Sequence, residues 1–416
     1  MRQERREVKS MPDSAVVSAG QATPCTFMLA SPRGQLAASG LRRRLRAGPA
    51  DTLASRVRAF FAEEDDPSAP GLLTGALPFD RAAHDFLFQP DHVSDAPPAP
   101  AAAGPRQDRR WRVSPQPSRA AYEAAVAKAL DLIRASRGEA EPLTKIVLSR
   151  SVLLEADPPV DLMALSGRLL GDPGAVRFLT PIGPGATGAP RHLIGATPEL
   201  LVSKTGAAIV SHPLAGSARR SADPAADRAA AETLAHSQKD QREHRWVVEA
   251  ILDGLAPYCR ALVAPPEPEL VSTLTMWHLG TRIEGQLKDP QGVSSAELAA
   301  VLHPTPAVGG TPRGRSLALI PALEGYDRGF YAGAVGWTDR AGDGEWYVSL
   351  RCAEVSGRQV RIYAGAGIVE GSVPAEEAEE TSAKLQAMLR ALGVDEEGHA
   401  SAPSCAMLES ATGVDE

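Results

Sequence analysis

Apolar residues recur at helical spacing in several stretches of the chain, which predicts amphipathic helices. The clearest stretch is 118–137, where Tyr122, Val126, Leu130 and Ile133 share one face and Ser118 fits the N-cap position. The same spacing predicts helices at 41–62, 161–170, 223–255, 294–302 and 374–392.

Shorter apolar segments bounded by turn residues predict strands. In 144–154, Lys145, Val147 and Ser149 alternate with residues that point to the opposite face. Similar segments predict strands at 71–79, 176–180, 192–195, 200–203 and 207–214, a strand pair or one bent strand at 270–283, and three antiparallel strands at 333–337, 345–354 and 359–366. Mixed elements of this kind indicate an α+β fold.

Both chain ends are polar and lack periodicity, so we expect a disordered arm over residues 1–25 and a disordered tail over 394–416. The Pro/Ala-rich stretch 95–105 predicts a linker or a long surface loop. Residues 26–393 are therefore expected to form the folded domain.

Composition excludes several classes of protein. The net charge of −7 argues against nucleic acid as a partner. Four widely spaced cysteines form neither a disulfide framework nor a zinc motif, which favours a reducing cytoplasm. No apolar run has the ~18–20 residues that a membrane span requires, so no membrane contact is expected, and the default expectation is a monomer.

Two predicted helices carry acids three residues apart, which places both carboxylates of each pair on one face. Facing each other across a cleft, these pairs would repel unless a cation lay between them, and oxygen ligands without a Cys/His cluster favour Mg²⁺ over zinc. The alternative is two solvated helix faces paired with Lys239 and Lys384. The four acids are Asp240, Glu243, Glu377 and Glu380.

Three further residues are candidates for chemistry. The chain uses only seven lysines against 37 arginines, and Lys145 lies inside an apolar strand, where burial would make it a general base. Glu199 follows Pro198 at a strand break that could direct its carboxyl into a cleft. The third candidate is His278, which follows Trp277 in a predicted strand. The simpler interpretations are that Lys145 is an edge-strand lysine, Glu199 a loop acid and His278 a buried core histidine.

A series of motifs in a fixed order covers residues 70–390 and resembles the chorismate-utilising enzymes, most closely isochorismate synthases of the siderophore (2,3-dihydroxybenzoate) type. The motifs are GALPFD (75–80), KIVLSR (145–150), GATPELLVS (195–203), HPLAGSARR (212–220), SQKDQREH (237–244), WHLGT (277–281), LHPTPAVGG (302–310), YAGAVGWTD (331–339), GDGEWYVSLR (342–351), AGAGIVEGS (364–372) and EET with a following lysine (379–384).

This resemblance implies a single large chorismate-binding domain with two antiparallel sheets and helices between and around them. It implies Mg²⁺-dependent isomerisation of chorismate, with Lys145 as the base and Glu199 as the acid. Glu243 and Glu380 would bind the metal, and Asp240 and Glu377 would act on it through water or through those ligands. The implied substrate-binding residues are Gly216, Ser217, His278, Ala307, Tyr331, Arg351, Gly365 and Lys384.

The resemblance also bears on the reaction type. Lys145 favours water over ammonia as the nucleophile, Ala215 argues against an aminodeoxychorismate synthase, and Ala307 fits isochorismate synthases because salicylate and anthranilate synthases tend to carry threonine there. Salicylate synthase, which also eliminates pyruvate, stays the alternative within the family. A non-catalytic chorismate-binding protein is the alternative outside it. The downstream pathway, siderophore, menaquinone or another, stays open.

Overall fold

Two large antiparallel sheets form the frame of the protein in a computed structural model that describes residues 25–95, 110–185 and 187–399. In the order in which they pair, the strands of the first sheet are β18 (Gly310–Thr311), β8 (Lys145–Asp157), β22 (Gln359–Val369), β21 (Cys352–Ser356), β10 (Pro190–Thr197), β9 (Val176–Pro184), β1 (Cys25–Ser31), β2 (Gly34–Ser39) and β6 (His92–Ser94), with β7 (Arg110–Gln116) also pairing with β8.

Within the part of the chain that the structure describes, the second sheet has nine strands, which come from residues 43–348. Its strands, again in pairing order, are β14 (Cys259–Val263), β17 (Ile283–Leu287), β12 (Ala208–His212), β11 (Leu200–Thr205), β20 (Gly344–Val348), β19 (Ala334–Asp339), β4 (Leu72–Leu77), β5 (Phe86–Gln89) and β3 (Arg43–Arg44). A small third sheet pairs β13 (Leu214–Arg219), β16 (Met276–Gly280) and β15 (Glu269–Ser272). The predicted α+β class with two antiparallel sheets is confirmed, and the third sheet is an addition to it.

Helices begin where a side chain can bind the free N–H groups of the first turn. Ser118 accepts from the N–H of Ala121, as predicted, and Ser237 accepts from that of Asp240. Within the described residues the α-helices are α1 (Leu53–Ala62), α2 (Arg119–Ala135), α3 (Leu162–Arg168), α4 (Pro224–His236), α5 (Gln238–Leu255), α6 (Ser295–Leu302), α7 (Arg313–Glu324) and α8 (Pro374–Leu392).

The core lies between the two sheets and beneath the helices. One buried cluster joins α2, α6 and the inner faces of both sheets, with Ile146, Leu148, Val202 and Trp346 among its members. A second cluster lies between α8 and the other part of the first sheet, around Leu154 and Leu389. Strand β8 contributes to both clusters, so the strand that begins at Lys145 is held along its whole length.

Several predicted boundaries differ from the structure. The 41–62 helix is shorter, because Arg43 and Arg44 pair as a strand before α1 begins. The single helix predicted over 223–255 is two helices, since Ser237 adopts an extended conformation and caps the second. The predicted strand 345–354 is two strands in different sheets, separated by Arg351 at φ 46°.

The predicted chain ends also need adjustment. Cys25 is already the first residue of β1, and Val394 is 1% exposed. The peptide N–H groups of 397 and 399 bond to the Asp395 carboxylate, so residues 394–399 form an ordered turn. The remainder of the predicted arm, tail and Pro/Ala loop lies almost wholly outside the described residues. Among the helices that the structure describes, none has the length and apolarity needed to cross a membrane.

Candidate active site

A cavity of about 110 Å³ opens where the first sheet, the third sheet and helices α5 and α8 meet. This volume accommodates several water molecules or a small metabolite, and it is too small for a macromolecule. Of the residues predicted for the site, those that line it are Glu199, Gly216, Ser217, Asp240, Glu243, His278, Ala307, Tyr331, Arg351, Gly365, Glu377, Glu380 and Lys384.

Lys145 is the one predicted site residue that does not line the cavity. It is the first residue of β8 and is fully buried, and its Nζ lies 2.7 Å from Oε1 of Glu243, which does line the cavity. The contact lacks hydrogen-bond geometry, and Nζ has no hydrogen-bond partner among the described residues. Gly367 makes room for the pair: a Cβ there would lie 2.4 Å from Glu243 Oε1 and 3.0 Å from Lys145 Cε.

The four acids of α5 and α8 form one cluster with three lysines. Lys145 pairs with Glu243, Lys239 lies 3.4 Å from Glu377, and Lys384 lies 2.6 Å from Glu380. The lysine pairing expected of ordinary helix faces is therefore present, but these faces are not solvated. Glu377 is only 4% exposed, and the Glu243 side chain is 12% exposed. The cluster faces the cavity, which ordinary surface pairing would not require.

This cluster contains four carboxyl groups and three lysines. The excess of carboxyl groups is reflected in the direction of their pKa shifts. Burial, reinforced by neighbouring Glu380, raises the pKa of Glu377 to about 7. Burial also raises the pKa of Asp240. For Lys239 burial alone would lower the pKa, but the surrounding carboxylates raise it. For Glu380, burial is outweighed by Lys384 and by the hydroxyl of Ser217, which donates at 2.9 Å, and the pKa is lowered.

Glu199 occupies a different environment, in the connection between β10 and β11. Its main chain is fixed: the carbonyl accepts from the N–H of Val348 at 3.1 Å, and the N–H donates to the Thr197 hydroxyl at 3.4 Å. The residue is 2% exposed, and it forms no ion pair with any described residue. Burial raises the pKa of its carboxyl to about 8, although the charge of Lys145 opposes the shift. Glu199 is therefore a protonated acid at neutral pH.

Arg351 and His278 form the anion-binding part of the cavity. Nη2 of Arg351 donates to Nε2 of His278 at 2.5 Å, while Nη1 has no hydrogen-bond partner among the described residues. Burial, followed by the charge of Arg351, holds the pKa of His278 well below its usual range, so the imidazole is neutral and accepts this bond. Nη1 of Arg351 is a buried, charged donor that lacks an acceptor, and a ligand carboxylate would supply one.

Backbone and small residues complete the walls. The ring of Tyr331 stacks on Tyr363 at 4.8 Å, and Lys384 Nζ donates to the carbonyl of Gly365 at 3.0 Å. Gly216 has φ 78°, and a Cβ there would lie 3.0 Å from the Cβ of Asp240. Ala307 lies in the turn before β18, where its N–H donates to Thr305 Oγ1 at 3.3 Å. The sequence-predicted residues thus meet in one place, while their individual roles stay predictions.

Two charged cavity residues are not among the predicted site residues. Lys239 directly precedes Asp240 within the motif SQKDQREH (237–244), where the sequence favours a surface partner of the acids. Arg328 falls outside every motif of the resemblance, yet it is 2% exposed and lines the cavity. Its position depends on contacts with residues from three distant segments, which no local pattern records.

The acidic cluster fits a hard divalent cation. All its donors are carboxylate oxygens, and Mg²⁺ uses one or two protein carboxylates together with water and ligand oxygens. Among the described residues, no three of these four carboxylates have oxygens within 4.8 Å of one another, so a cage made only of protein ligands is not formed. Glu243 and Glu380 on facing helices are suited to hold a cation that keeps part of its coordination for water or a ligand.

Comparison with known proteins places the chain in a family. The model of the chorismate binding enzymes matches residues 89–393. This protein belongs to the chorismate binding enzyme family.

Two relatives that are similar over most of the chain are isochorismate synthases. Isochorismate synthase DhbC of Bacillus subtilis is 41% identical over 383 residues, which span 89% of this chain and 94% of that protein. Isochorismate synthase EntC of Escherichia coli K12 is 36% identical over 357 residues, or 83% of this chain and 88% of that protein.

Two solved structures have folds similar to that of this chain. A Bacillus anthracis protein described as the 2,3-dihydroxybenzoate-specific isochorismate synthase DhbC superimposes with a TM-score of 0.82 at 38% identity, covering 90% of this chain and 98% of that one. Menaquinone-specific isochorismate synthase MenF of Escherichia coli shares the fold, with a TM-score of 0.73 at 24% identity and coverage of 91% and 92%.

Proposed function

We propose that this protein is an isochorismate synthase that converts chorismate to isochorismate with Mg²⁺ as its cofactor. The observation that carries the proposal is one cavity lined by a protonated acid, Glu199, and by Arg351, whose Nη1 has no acceptor among the described residues. The buried Lys145 lies directly behind the lining residue Glu243, with which it pairs. The similarity to isochorismate synthases over most of the chain supports it.

The reaction exchanges one hydroxyl for another across an allylic system. In its neutral form, released from the ion pair with Glu243, Lys145 takes a proton from a water molecule as the water oxygen bonds to C2 of the ring. The ring double bonds shift, and Glu199 donates its proton to the C4 hydroxyl, which leaves as water. One water enters and one leaves, so the step is an isomerisation. An acid with a pKa near 8 is protonated at neutral pH and is still able to release its proton.

The remaining residues hold the substrate, which carries two carboxylates. Nη1 of Arg351 binds the enolpyruvyl carboxylate, and the Arg351–His278 bond fixes the orientation of the guanidinium. Glu243 and Glu380 would hold Mg²⁺, which when bound neutralises the ring carboxylate. Ser217 and Lys384 keep Glu380 in place and charged through their two hydrogen-bonded contacts.

Product analysis tests this function. The purified protein is incubated with chorismate and Mg²⁺, and the products are separated by HPLC while pyruvate is measured by a coupled lactate dehydrogenase assay. We expect isochorismate in equilibrium with chorismate and no stoichiometric pyruvate. Salicylate and pyruvate as main products would instead identify a salicylate synthase.

A non-catalytic binding protein would give a third pattern. Chorismate would bind, measured by calorimetry, but neither product would form, and the variants Lys145→Ala and Glu199→Gln would bind as the parent does. We expect instead that both variants lose turnover.

A further inference from the structure

The guanidinium of Arg328 joins two walls of the cavity. Its Nη1 donates to the carbonyl of Val308 at 2.8 Å, and its Nη2 donates to the carbonyl of Val147 at 2.8 Å. Val308 adjoins Ala307 in the turn before β18, and Val147 lies two residues from Lys145 on β8. This side chain therefore bridges the wall that contains Ala307 and the strand that carries Lys145, in addition to the main-chain bonds between β18 and β8.

Glu324, at the end of α7, fixes Arg328 in turn. Nε of Arg328 donates to Oε2 of Glu324 at 2.9 Å, and Nη2 to Oε1 at 2.5 Å. The same carboxylate accepts from the N–H and the hydroxyl of Ser149, at 2.6 and 2.8 Å. The pair is almost fully buried, with side-chain exposures of 2% and 1%. It thus binds β8 twice, through Val147 and through Ser149.

Arg328 and Arg351 both line the cavity but differ in what their nitrogens bind. Arg351 keeps Nη1 without an acceptor, whereas Arg328 uses all three nitrogens on Glu324 and on two carbonyls. Every nitrogen of Arg328 is thus bonded to the protein, and only the second N–H of Nη1 has no acceptor among the described residues. Its contacts lie in the walls and not in the space between them.

We propose that the Arg328–Glu324 pair is a positioning device that holds the Ala307–Val308 wall against the Lys145 strand and so sets where the substrate ring lies in the cavity. The proposal rests on the proposed function for its kinetic part only. Its structural part, that the pair restrains this wall, stands independently of the activity.

The chemistry of the pair explains why arginine is needed. A planar guanidinium presents donors in fixed directions and can bind a carboxylate and two carbonyls together, whereas a lysine amine is a single point charge. A buried ion pair is weak support for stability, since apolar replacements of similar volume are often neutral or stabilising. What an apolar pair cannot supply is the two directed bonds to Val308 and Val147.

The first test compares Arg328→Lys with a matched control, Arg81→Lys. Arg81 also bonds main-chain carbonyls of the same region, those of Ala300 and His303, but it does not line the cavity. For Arg328→Lys we expect kcat for chorismate to fall on the order of 10- to 100-fold, because misplacement of about 1 Å costs about that much. The half-saturating Mg²⁺ concentration should not change. Arg81→Lys should lower Tm without this loss of kcat.

The second test separates folding from positioning. The double variant Arg328→Met/Glu324→Leu removes both charges together, so no unpaired charge is left buried. We expect a lower Tm, because Ser149 and the carbonyls of Val147 and Val308 lose buried partners, and, well below that Tm, the same fall in kcat. A double variant with parental kcat would overturn the proposal.

Hydrogen–deuterium exchange gives a readout that needs no activity. The N–H groups of Val147 and Val308 donate to Gly309 and Thr305 in the same wall. In Arg328→Lys we expect faster exchange in peptides that cover 145–149 and 305–311, with unchanged exchange in α5 and α8. If the parent protein made no isochorismate but Arg328→Lys still exchanged faster in these peptides, the restraint would be upheld while the proposed function failed. Unchanged exchange in both peptides would refute the restraint.

Discussion

The cavity contains two acidic regions that differ in how their charge is balanced. On α5 and α8, four carboxylates lie among three lysines, each lysine paired with a different glutamate. On the connection between β10 and β11, Glu199 is buried without an ion-pair partner among the described residues, and the pKa of its carboxyl rises to about 8. Glu380, which is paired with Lys384, thus has a lowered pKa, whereas Glu199, unpaired among the described residues, has a raised one.

This comparison shows that the environment of a carboxyl group determines its pKa, and with it the chemistry that the group can perform. Under the proposed function, Glu243 and Glu380 would exchange their lysines for a cation, because both carboxylates line the cavity. Glu199 has no such exchange available, since burial, and not a charged partner, determines its protonation. Lys145 is near both regions: it pairs with Glu243, and its charge opposes the pKa shift of Glu199. Substitutions in the acidic cluster and at Glu199 should therefore impair different properties of the protein.

The largest effect is expected from Glu199→Gln. Glutamine keeps the size of the side chain but cannot donate the proton, so turnover should fall by ~10²–10⁴. The rise in Tm caused by Mg²⁺, measured by differential scanning fluorimetry, should stay that of the parent. Loss of that rise would place Glu199 in the metal-binding region and end the distinction between the two acids.

The reverse result is expected from Glu243→Gln. We expect the Mg²⁺-induced rise in Tm to disappear and turnover at saturating Mg²⁺ to fall at least ~10-fold, because ligands of this kind set metal affinity. Lys145 would also lose its buried partner, which should lower Tm in the absence of metal. Glu249→Gln, an exposed residue on the same helix, is the control and should change neither quantity. A parental response to Mg²⁺ in Glu243→Gln would remove Glu243 from the metal site.

Local patterns predicted the elements that carry both regions, but not the contacts between them. Periodicity found the helix at 374–392 and the strand that begins at Lys145, since each has a regular apolar face. It missed α7, whose apolar residues show little amphipathic order, and the break at Ser237, which depends on a side-chain cap. The Glu324–Arg328 pair could not be predicted, because burial makes it significant and burial follows from tertiary packing.

The dependence of Tm on pH should distinguish Glu199 from the acidic cluster, with an effect of intermediate size. Glu199 has a folded pKa of about 8 against a usual value of 4.5, so between these values the folded chain holds a proton that the unfolded chain releases. Its contribution to stability is present below about pH 4.5 and is lost as the pH rises towards 8. Glu199→Gln should therefore flatten the decline of Tm between pH 5 and 8. An unchanged slope would show that burial does not hold this proton.

The acidic cluster should respond to pH through metal affinity. With the pKa of Glu377 near 7, protons compete with the cation below that pH, so the half-saturating Mg²⁺ concentration should rise as the pH falls from 8 to 6. Calorimetric titration at several pH values measures this. In Glu377→Gln the dependence should weaken, and a dependence equal to that of the parent would assign the proton to another group.

The smallest effect is expected from Ala307→Thr, which alters the wall between the two regions and neither acid. Threonine adds a methyl and a hydroxyl at a position that lines the cavity. We expect turnover to fall less than ~10-fold, with pyruvate appearing as a minor product by HPLC and the coupled assay. Ala307→Ser adds the hydroxyl without the methyl, so a change seen only with threonine would assign the effect to bulk. If both variants retained parental turnover and products, Ala307 would have no part in selecting the product.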